Sequence, residues 1–438
     1  MITEKIKAFN KKWRGKKVYF CEHIGNTLNF NPKEFTFCCS STTGKYPKVY
    51  EVLDSNYLQF TKEDYIDAMI RVFEENQSES GMCRGCEKLV KLPFQEWDEN
   101  QIKVKNIIWN HFRGCNSHCV YCDETHYFKK FYEPIDIVDR LDRERVIADQ
   151  VSISFGGGEP TLLDNLKDYI ELGIRKKWPQ ILNTSGLLNR EYVKTALAKR
   201  DDFSVQISVD SGTPETYRKV KGQSGFEVVW NTIKDYCTTG GRVFAKYIIF
   251  SYNSEKKEID AFIEQCVKTG VNNISISAEA AATFQFQEDL PWSYGEPEMK
   301  TTAYLLAKAL QTNRAVFLYR GNLSSENFQY IFKHFVNDYL KKWLEERKLC
   351  IWGMGEYGKR LYDLFDQFNI KVHWFGDGNI EKQKTKYRNS QCLSLRELQK
   401  KSSNEKICIF LSMSYYEKVY VHLSKELSDA DIRVLNIL

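Results

Sequence analysis

From Val104 onward, short β-branched or aromatic runs alternate with amphipathic stretches of helical period, and this alternation limits the fold more than any other feature of the chain. Strand candidates fall at 104–109, 151–155, 181–184, 205–209, 243–250 and 274–277, separated by helical stretches such as 225–236 and 255–269. Such a succession predicts parallel βα units, and six of them close only part of a barrel. In parallel α/β folds the reactive groups gather at the carboxyl ends of the strands. The cysteine-rich loop 115–122, the glycine run 156–160 and the segments 183–186 and 208–212 each follow a strand candidate, so they are expected at one mouth.

The length of 438 residues suits several domains with separate cores. Residues 1–100 read as a small metal-stapled module with one clear helix, capped by Thr61 and carrying Tyr65, Ile66, Met69, Ile70, Val72 and Phe73 as an apolar stripe. Residues 101–320 hold the partial barrel. In 321–347, Ser324 or Ser325 is expected to cap a connecting helix with Phe328, Ile331, Phe332 and Phe335 on its buried face. Residues 348–438 read as a small doubly wound α/β domain. The net charge of +5 is small and its basic residues are interspersed with acidic ones, so nucleic-acid binding is not signalled. The basic N-terminus has no apolar run behind it, and nowhere do about 20 apolar residues follow one another; the reading is cytoplasmic, with no membrane partner.

Thirteen cysteines, an odd number, fit a disulfide framework poorly. Cys237, Cys266, Cys350, Cys392 and Cys408 are scattered singly and read as core, while the other eight lie in the first 122 residues and read as metal ligands. Cys115, Cys119 and Cys122 share one loop, where three thiolates can converge on one inorganic cluster and leave one of four irons open to a small molecule. The other reading is a tetrahedral zinc site closed by His118 or His126.

The spacing C-x3-C-x2-C, with Tyr121 before the last cysteine, resembles the signature of the radical SAM superfamily, and Gly156-Gly157-Gly158-Glu159-Pro160 resembles its GGEP segment. The resemblance covers about residues 104–280. It implies a [4Fe–4S] cluster on Cys115, Cys119 and Cys122 whose open iron takes the amino and carboxylate groups of S-adenosylmethionine (SAM). An electron passed to the sulfonium would release a 5′-deoxyadenosyl radical that abstracts a substrate hydrogen. By the same resemblance Tyr121 lies against the adenine, Gly157 and Gly158 let backbone approach the SAM amino group, and Glu159 accepts from it. Ser208 binds ribose or carboxylate, and Arg218 pairs the carboxylate. From the residues alone the glycine run is equally a tight strand-to-helix turn, and Arg218 a solvated residue on a helix capped by Asp210 or Ser211. Asn183, Ser185 and Lys246 are further candidates, and no catalytic residue is assigned.

Cys21, the pair Cys38–Cys39, Cys83 and Cys86 form a second set, similar to the SPASM or twitch modules that carry an auxiliary [4Fe–4S] cluster, although here the set precedes the barrel. Zinc on four cysteines is the alternative. Neighbours in an extended chain point apart, so only one of the pair is expected to ligate: Cys39, with Cys38 as alternate. Near the C-terminus, Gly353, Gly355 and Gly358 make a G-x-G-x-x-G turn, and Asp377 follows about 20 residues later. The segment resembles Rossmann-like domains appended to enzymes of surface-sugar and natural-product pathways, which implies nucleotide or nucleotide-sugar binding. The expected function is SAM cleavage followed by hydrogen abstraction from a small metabolite, with a nucleotide-linked sugar first, a ribosomally made peptide second and a non-catalytic iron–sulfur scaffold third. The expected partners are SAM, the small-molecule substrate and an electron donor such as flavodoxin or ferredoxin.

Overall fold

The computed structural model describes residues 2–38, 41, 43–53, 56–122, 132–284 and 290–437. It resolves into two compact units, Met1–Ser208 with Lys221–Val243, and Val209–Val220 with Phe244–Leu438. The fold is mixed α/β with mostly parallel strands, the class read from the sequence.

In the first unit the strands run in the order Phe203–Ser208, Gln180–Thr184, Ile147–Phe155, Val104–Trp109 and Thr27–Phe30, all parallel. Glu34–Thr36 and Lys48–Glu51 then add antiparallel. Four of the six expected strands are thus neighbours here, each preceding a helix. The fifth parallel strand, Thr27–Phe30, was not read from the sequence. It is four residues long and wholly buried, so it shows no alternation. Its Phe30 lies opposite Trp109 in register and stacks on it at 5.2 Å between ring centroids. The sheet therefore runs straight across the expected boundary near residue 100. The helix Lys62–Glu75 carries the expected cap: the Thr61 hydroxyl accepts from the Asp64 amide, and the Asp64 carboxylate accepts from the Thr61 amide at 2.8 Å. Phe9, Val18 and Phe73 close a small aromatic core with Phe94 and Trp97.

The second unit orders Lys386–Tyr387, Ser390–Leu393, Val372–Gly376, Lys348–Trp352, Ile407–Leu411, Asp431–Ile437, Ala315–Leu318, Asn273–Ala278 and Arg242–Ile249, parallel except for the first pair. Here too the sheet crosses an expected boundary, because Ala315–Leu318 pairs with Asp431–Ile437. Ser324 caps the helix Ser325–His334 by accepting from the Asn327 amide at 3.1 Å, and the chain continues through a π-helical turn, Phe335–Leu340, into Lys341–Leu344. Cys266, Cys350, Cys392 and Cys408 are buried, as expected of core thiols, whereas Cys237 is half-buried.

Candidate active site

The strand Val104–Trp109 delivers the chain into the loop that holds Cys115, Cys119 and Cys122. The first two thiols are half-buried and the third is exposed. Within the loop the Ser117 amide donates to Cys115 Sγ at 3.4 Å, and the Cys122 amide donates to the Cys119 carbonyl at 3.0 Å. Amide donation to a sulfur favours its thiolate form, the form that ligates metal. A second segment of the same unit grips the loop from outside. The His118 amide donates to the Lys221 carbonyl at 2.9 Å, Gln223 Nε2 to Ser117 Oγ at 2.6 Å, and Lys221 Nζ to Tyr121 Oη at 2.8 Å. His118 is exposed, and His126 lies outside the described residues.

The glycine run sits directly beside the approach to this loop. The Gly156, Gly158 and Glu159 amides donate to the carbonyls of Trp109, Phe112 and Gly114 at 3.0, 3.0 and 2.6 Å. A Cβ on Gly157 would lie 2.6 Å from the Phe112 carbonyl oxygen, and one on Gly158 would collide with that of Gly114. The bareness of these glycines thus serves the seating of the cysteine loop, a demand that reading the glycines for SAM approach alone had missed.

Glu159 is almost fully buried and ties neighbouring strand ends together. Oε1 accepts from the Thr161 amide at 3.0 Å, the Thr161 hydroxyl at 2.5 Å and the Thr184 hydroxyl at 2.6 Å, while Oε2 accepts from the Ser185 amide at 2.6 Å. Ser185 Oγ in turn donates to Asn116 Oδ1 in the cysteine loop at 3.1 Å. Asn183 is engaged along the sheet, donating to Ser154 and the Phe155 carbonyl and accepting from Gln206 at 2.8 Å. The sequence candidates Cys115, Cys119, Cys122, Tyr121, Gly157, Gly158, Glu159, Asn183 and Ser185 thus fall in one unit, with Ser208 ending its strand Phe203–Ser208.

Arg218 and Lys246 belong to the second unit. Arg218 is exposed on the helix Pro214–Lys221. The cap expected at Asp210 or Ser211 is instead Thr213, whose hydroxyl accepts from the Thr216 amide at 3.3 Å. Asp210 is buried at φ +56°, and its carboxylate accepts from the Ile248 amide at 2.7 Å.

In the N-terminal part of the first unit, Cys21, Cys38, Cys83 and Cys86 line one cavity with His23, Lys45 and Lys88. Asn76, at the end of Lys62–Glu75, orients the Cys83–Cys86 turn by accepting from the Cys83 amide at 3.0 Å. Burial pushes the Cys21 thiol up to about 12, and the neighbouring Cys38, Cys86 and Cys83 add to the rise. Burial raises Cys83 as well. Four thiols lining one cavity are the donor types of a tetrathiolate metal site, in which a cation would take the place of their protons. Cys38 stands at this cavity, whereas Cys39, the expected ligand, lies outside the described residues. Among the described residues no three His, Cys, Asp or Glu groups are drawn together as a metal would hold them.

At the C-terminal glycine turn, a cavity of about 680 Å³ opens at the carboxyl ends of Lys348–Trp352, Val372–Gly376 and Ile407–Leu411, where the strand order reverses. Gly353, Gly355, Gly358 and Asp377 all line it. Asp377 is already engaged: its carboxylate accepts from the Met354 and Asn379 amides at 2.8 and 2.9 Å and pairs with Lys382 at 3.3 Å.

Residues 109–266 match the family model described as the radical SAM superfamily. The chain is 26% identical over 139 residues to the mycofactocin maturase MftC of Mycobacterium tuberculosis, covering 31% of this chain and 34% of that protein. It is 28% identical over 173 residues to the Fe-coproporphyrin III synthase of Methanosarcina barkeri, covering 37% of this chain and 41% of that one. The matches thus span about a third to two fifths of the relatives' own length. Among solved structures, Streptococcus suis SuiB bound to the precursor peptide SuiA superposes with a TM-score of 0.44 at 12% identity, over 66% of this chain and 70% of that one. No helix among the described residues is long and apolar enough to cross a membrane.

Proposed function

The chain carries a radical SAM domain over residues 109–266, and on that premise we propose that it is a radical enzyme acting on a peptide, in the manner of a maturase. The observation that carries the peptide reading is the similarity to the mycofactocin maturase. It reverses the order of substrates expected from the C-terminal glycine turn. Cys115, Cys119 and Cys122 would hold a [4Fe–4S] cluster, which when bound would supply the reductive cleavage of SAM and the radical chemistry on the substrate. The protein's own part is to hold the loop. The Ser117 amide supports Cys115, the glycine run seats the loop against the next strand end, and Glu159 locks the ends of two strands to each other. Within the first unit, Tyr121 and Ser208 remain the proposed SAM contacts.

Cys21, Cys38, Cys83 and Cys86 form the proposed auxiliary site, with a second [4Fe–4S] cluster as the first choice and zinc as the second. Four protein ligands would close either metal to substrate. A flavodoxin or ferredoxin is the proposed electron donor. The test is anaerobic reconstitution with iron and sulfide, then dithionite and SAM, with 5′-deoxyadenosine as the product measured. A peptide encoded beside the gene is added, and its mass is followed. Product that rises with the peptide and vanishes in Cys119→Ala supports the reading. A loaded cluster that makes no 5′-deoxyadenosine leaves a non-catalytic iron–sulfur scaffold.

A second reading, a nucleotide-linked metabolite as substrate, is favoured by the cavity at the glycine turn. Isothermal titration with UDP-sugars and NAD against Gly355→Asp tests it, and no binding by the parent protein rejects it.

A further inference from the structure

Lys221 is a lysine buried to 3% exposure, in a position no cofactor motif explains. Lysine is rarely buried unless its charge is used. Its ammonium donates to the hydroxyl of Tyr121, the residue that precedes Cys122. Its carbonyl accepts from the amide of His118, the residue that precedes Cys119. Gly222 follows at φ +64°, and a Cβ there would lie 2.5 Å from the His118 carbonyl oxygen, so only glycine lets the two segments meet this closely. Gln223 then reaches Ser117, two residues after Cys115. Three consecutive residues thus each hold the cysteine loop, and the contacts are distributed along it between Cys115 and Cys122.

We propose that Lys221, Gly222 and Gln223 form a clamp that presets the cysteine loop for its cluster, with Lys221 as a positioning residue acting through Tyr121. The proposal rests on the radical SAM reading of Cys115, Cys119 and Cys122. Residues 115–122 contain no helix or strand among their described positions, so ordering such a loop costs backbone entropy. Contacts from a second segment offset that cost before metal arrives. A loop that gathers three thiolates also concentrates negative charge, and each electron added to the cluster deepens it. A buried ammonium on this loop stabilises the reduced state.

The experiment uses the full chain, reconstituted anaerobically, as parent, Lys221→Met, Lys221→Arg and Gln223→Ala. The Cys115/Cys119/Cys122 triple Ala variant gives the iron held elsewhere. If it holds as much iron as the parent, the radical SAM reading itself fails, and the clamp with it. Otherwise two quantities are read: the rate at which loop iron passes to bathophenanthroline, and the midpoint potential of the cluster by EPR titration. Loss of one supporting hydrogen bond predicts iron release about five-fold faster in Lys221→Met and Gln223→Ala. Lys221→Met also shifts the potential to a more negative value, and Lys221→Arg returns it toward the parent's. Equal release rates in all variants, or an unmoved potential in Lys221→Met, overturn the proposal. Should Lys221→Met not fold, Lys221→Arg and Gln223→Ala decide through the release rate.

Discussion

Glu159 separates a residue that serves a ligand from one that serves the scaffold. It is 1% exposed and accepts four hydrogen bonds, three at Oε1 and one at Oε2. Glu159→Gln keeps the shape but supplies only one acceptor oxygen. With that oxygen facing Thr161 and Thr184, the new amide group meets the Ser185 N–H, donor against donor, where the carboxylate oxygen accepted at 2.6 Å. Turned the other way, the clash moves to the threonines. The lost hydrogen bond to a charged group is worth about 1.5–3 kcal/mol, and the stranded buried amide adds about 1–3 kcal/mol. The sum, about 2.5–6 kcal/mol, amounts to roughly two to four decades of local opening equilibrium. Hydrogen exchange without SAM is the assay. Protection at the Thr161 and Ser185 amides is predicted to fall by about a hundred-fold or more. Parent-like protection combined with weakened SAM binding would refute the argument and make the carboxylate a ligand contact alone.

Cys38→Ala is predicted to lose the metal that survives in the Cys115/Cys119/Cys122 triple Ala background, whereas Cys39→Ala keeps it; elemental analysis of both decides. The Cys21 thiol, held up to about 12 by burial, gives the chelator-treated protein a pH dependence. The native state keeps its proton where the unfolded chain releases it near 9, so this stabilisation is complete below about pH 9 and is lost as pH rises toward about 12. A melting temperature that stays level across that window contradicts it. In the C-terminal turn, Gly355→Ala is predicted to be neutral in melting temperature because nothing lies within 4 Å of the added Cβ, whereas Gly358→Ala is destabilising by about 1–3 kcal/mol because its Cβ would collide with the Gly353 carbonyl oxygen.

The six parallel strands were legible because each combines a β-branched or aromatic run with a helix of clear period, two signals that agree locally. The strands Thr27–Phe30 and Ala315–Leu318 were not, since both are four-residue runs buried throughout, with no alternation to mark them. The choice between Cys38 and Cys39 was not legible for a related reason. Alternation tells neighbours apart only where one face is wet, and here Phe35, Thr36, Phe37 and Cys38 are all buried. The cysteine triplet was readable as a candidate site because its three thiols are close in sequence. Lys221–Gln223 was not, because a lysine followed by glycine at a helix end looks like an ordinary cap, and its partner lies about 100 residues away.

The order of the N-terminal cysteines, ahead of the barrel, becomes intelligible once the strand Thr27–Phe30 is recognised. By pairing parallel with Val104–Trp109 it makes the cysteine module an extension of the barrel sheet. A line of polar contacts runs across that junction. Asn110, just before the cysteine loop, donates to Asn29 at 2.9 Å; Asn29 donates to the Thr36 hydroxyl at 3.1 Å; and that hydroxyl donates to the Cys38 carbonyl at 3.1 Å. Buried amides and hydroxyls are costly unless each finds its partner, so a satisfied chain of this kind fixes register more strictly than apolar packing does. The same Asn110 lies under the glycine run, where a Cβ on Gly156 would meet its side-chain oxygen at 2.6 Å. One residue therefore touches the seat of the cysteine triplet and begins the connection to the second thiol set. The placement of each set follows from strand pairing and polar satisfaction within one unit.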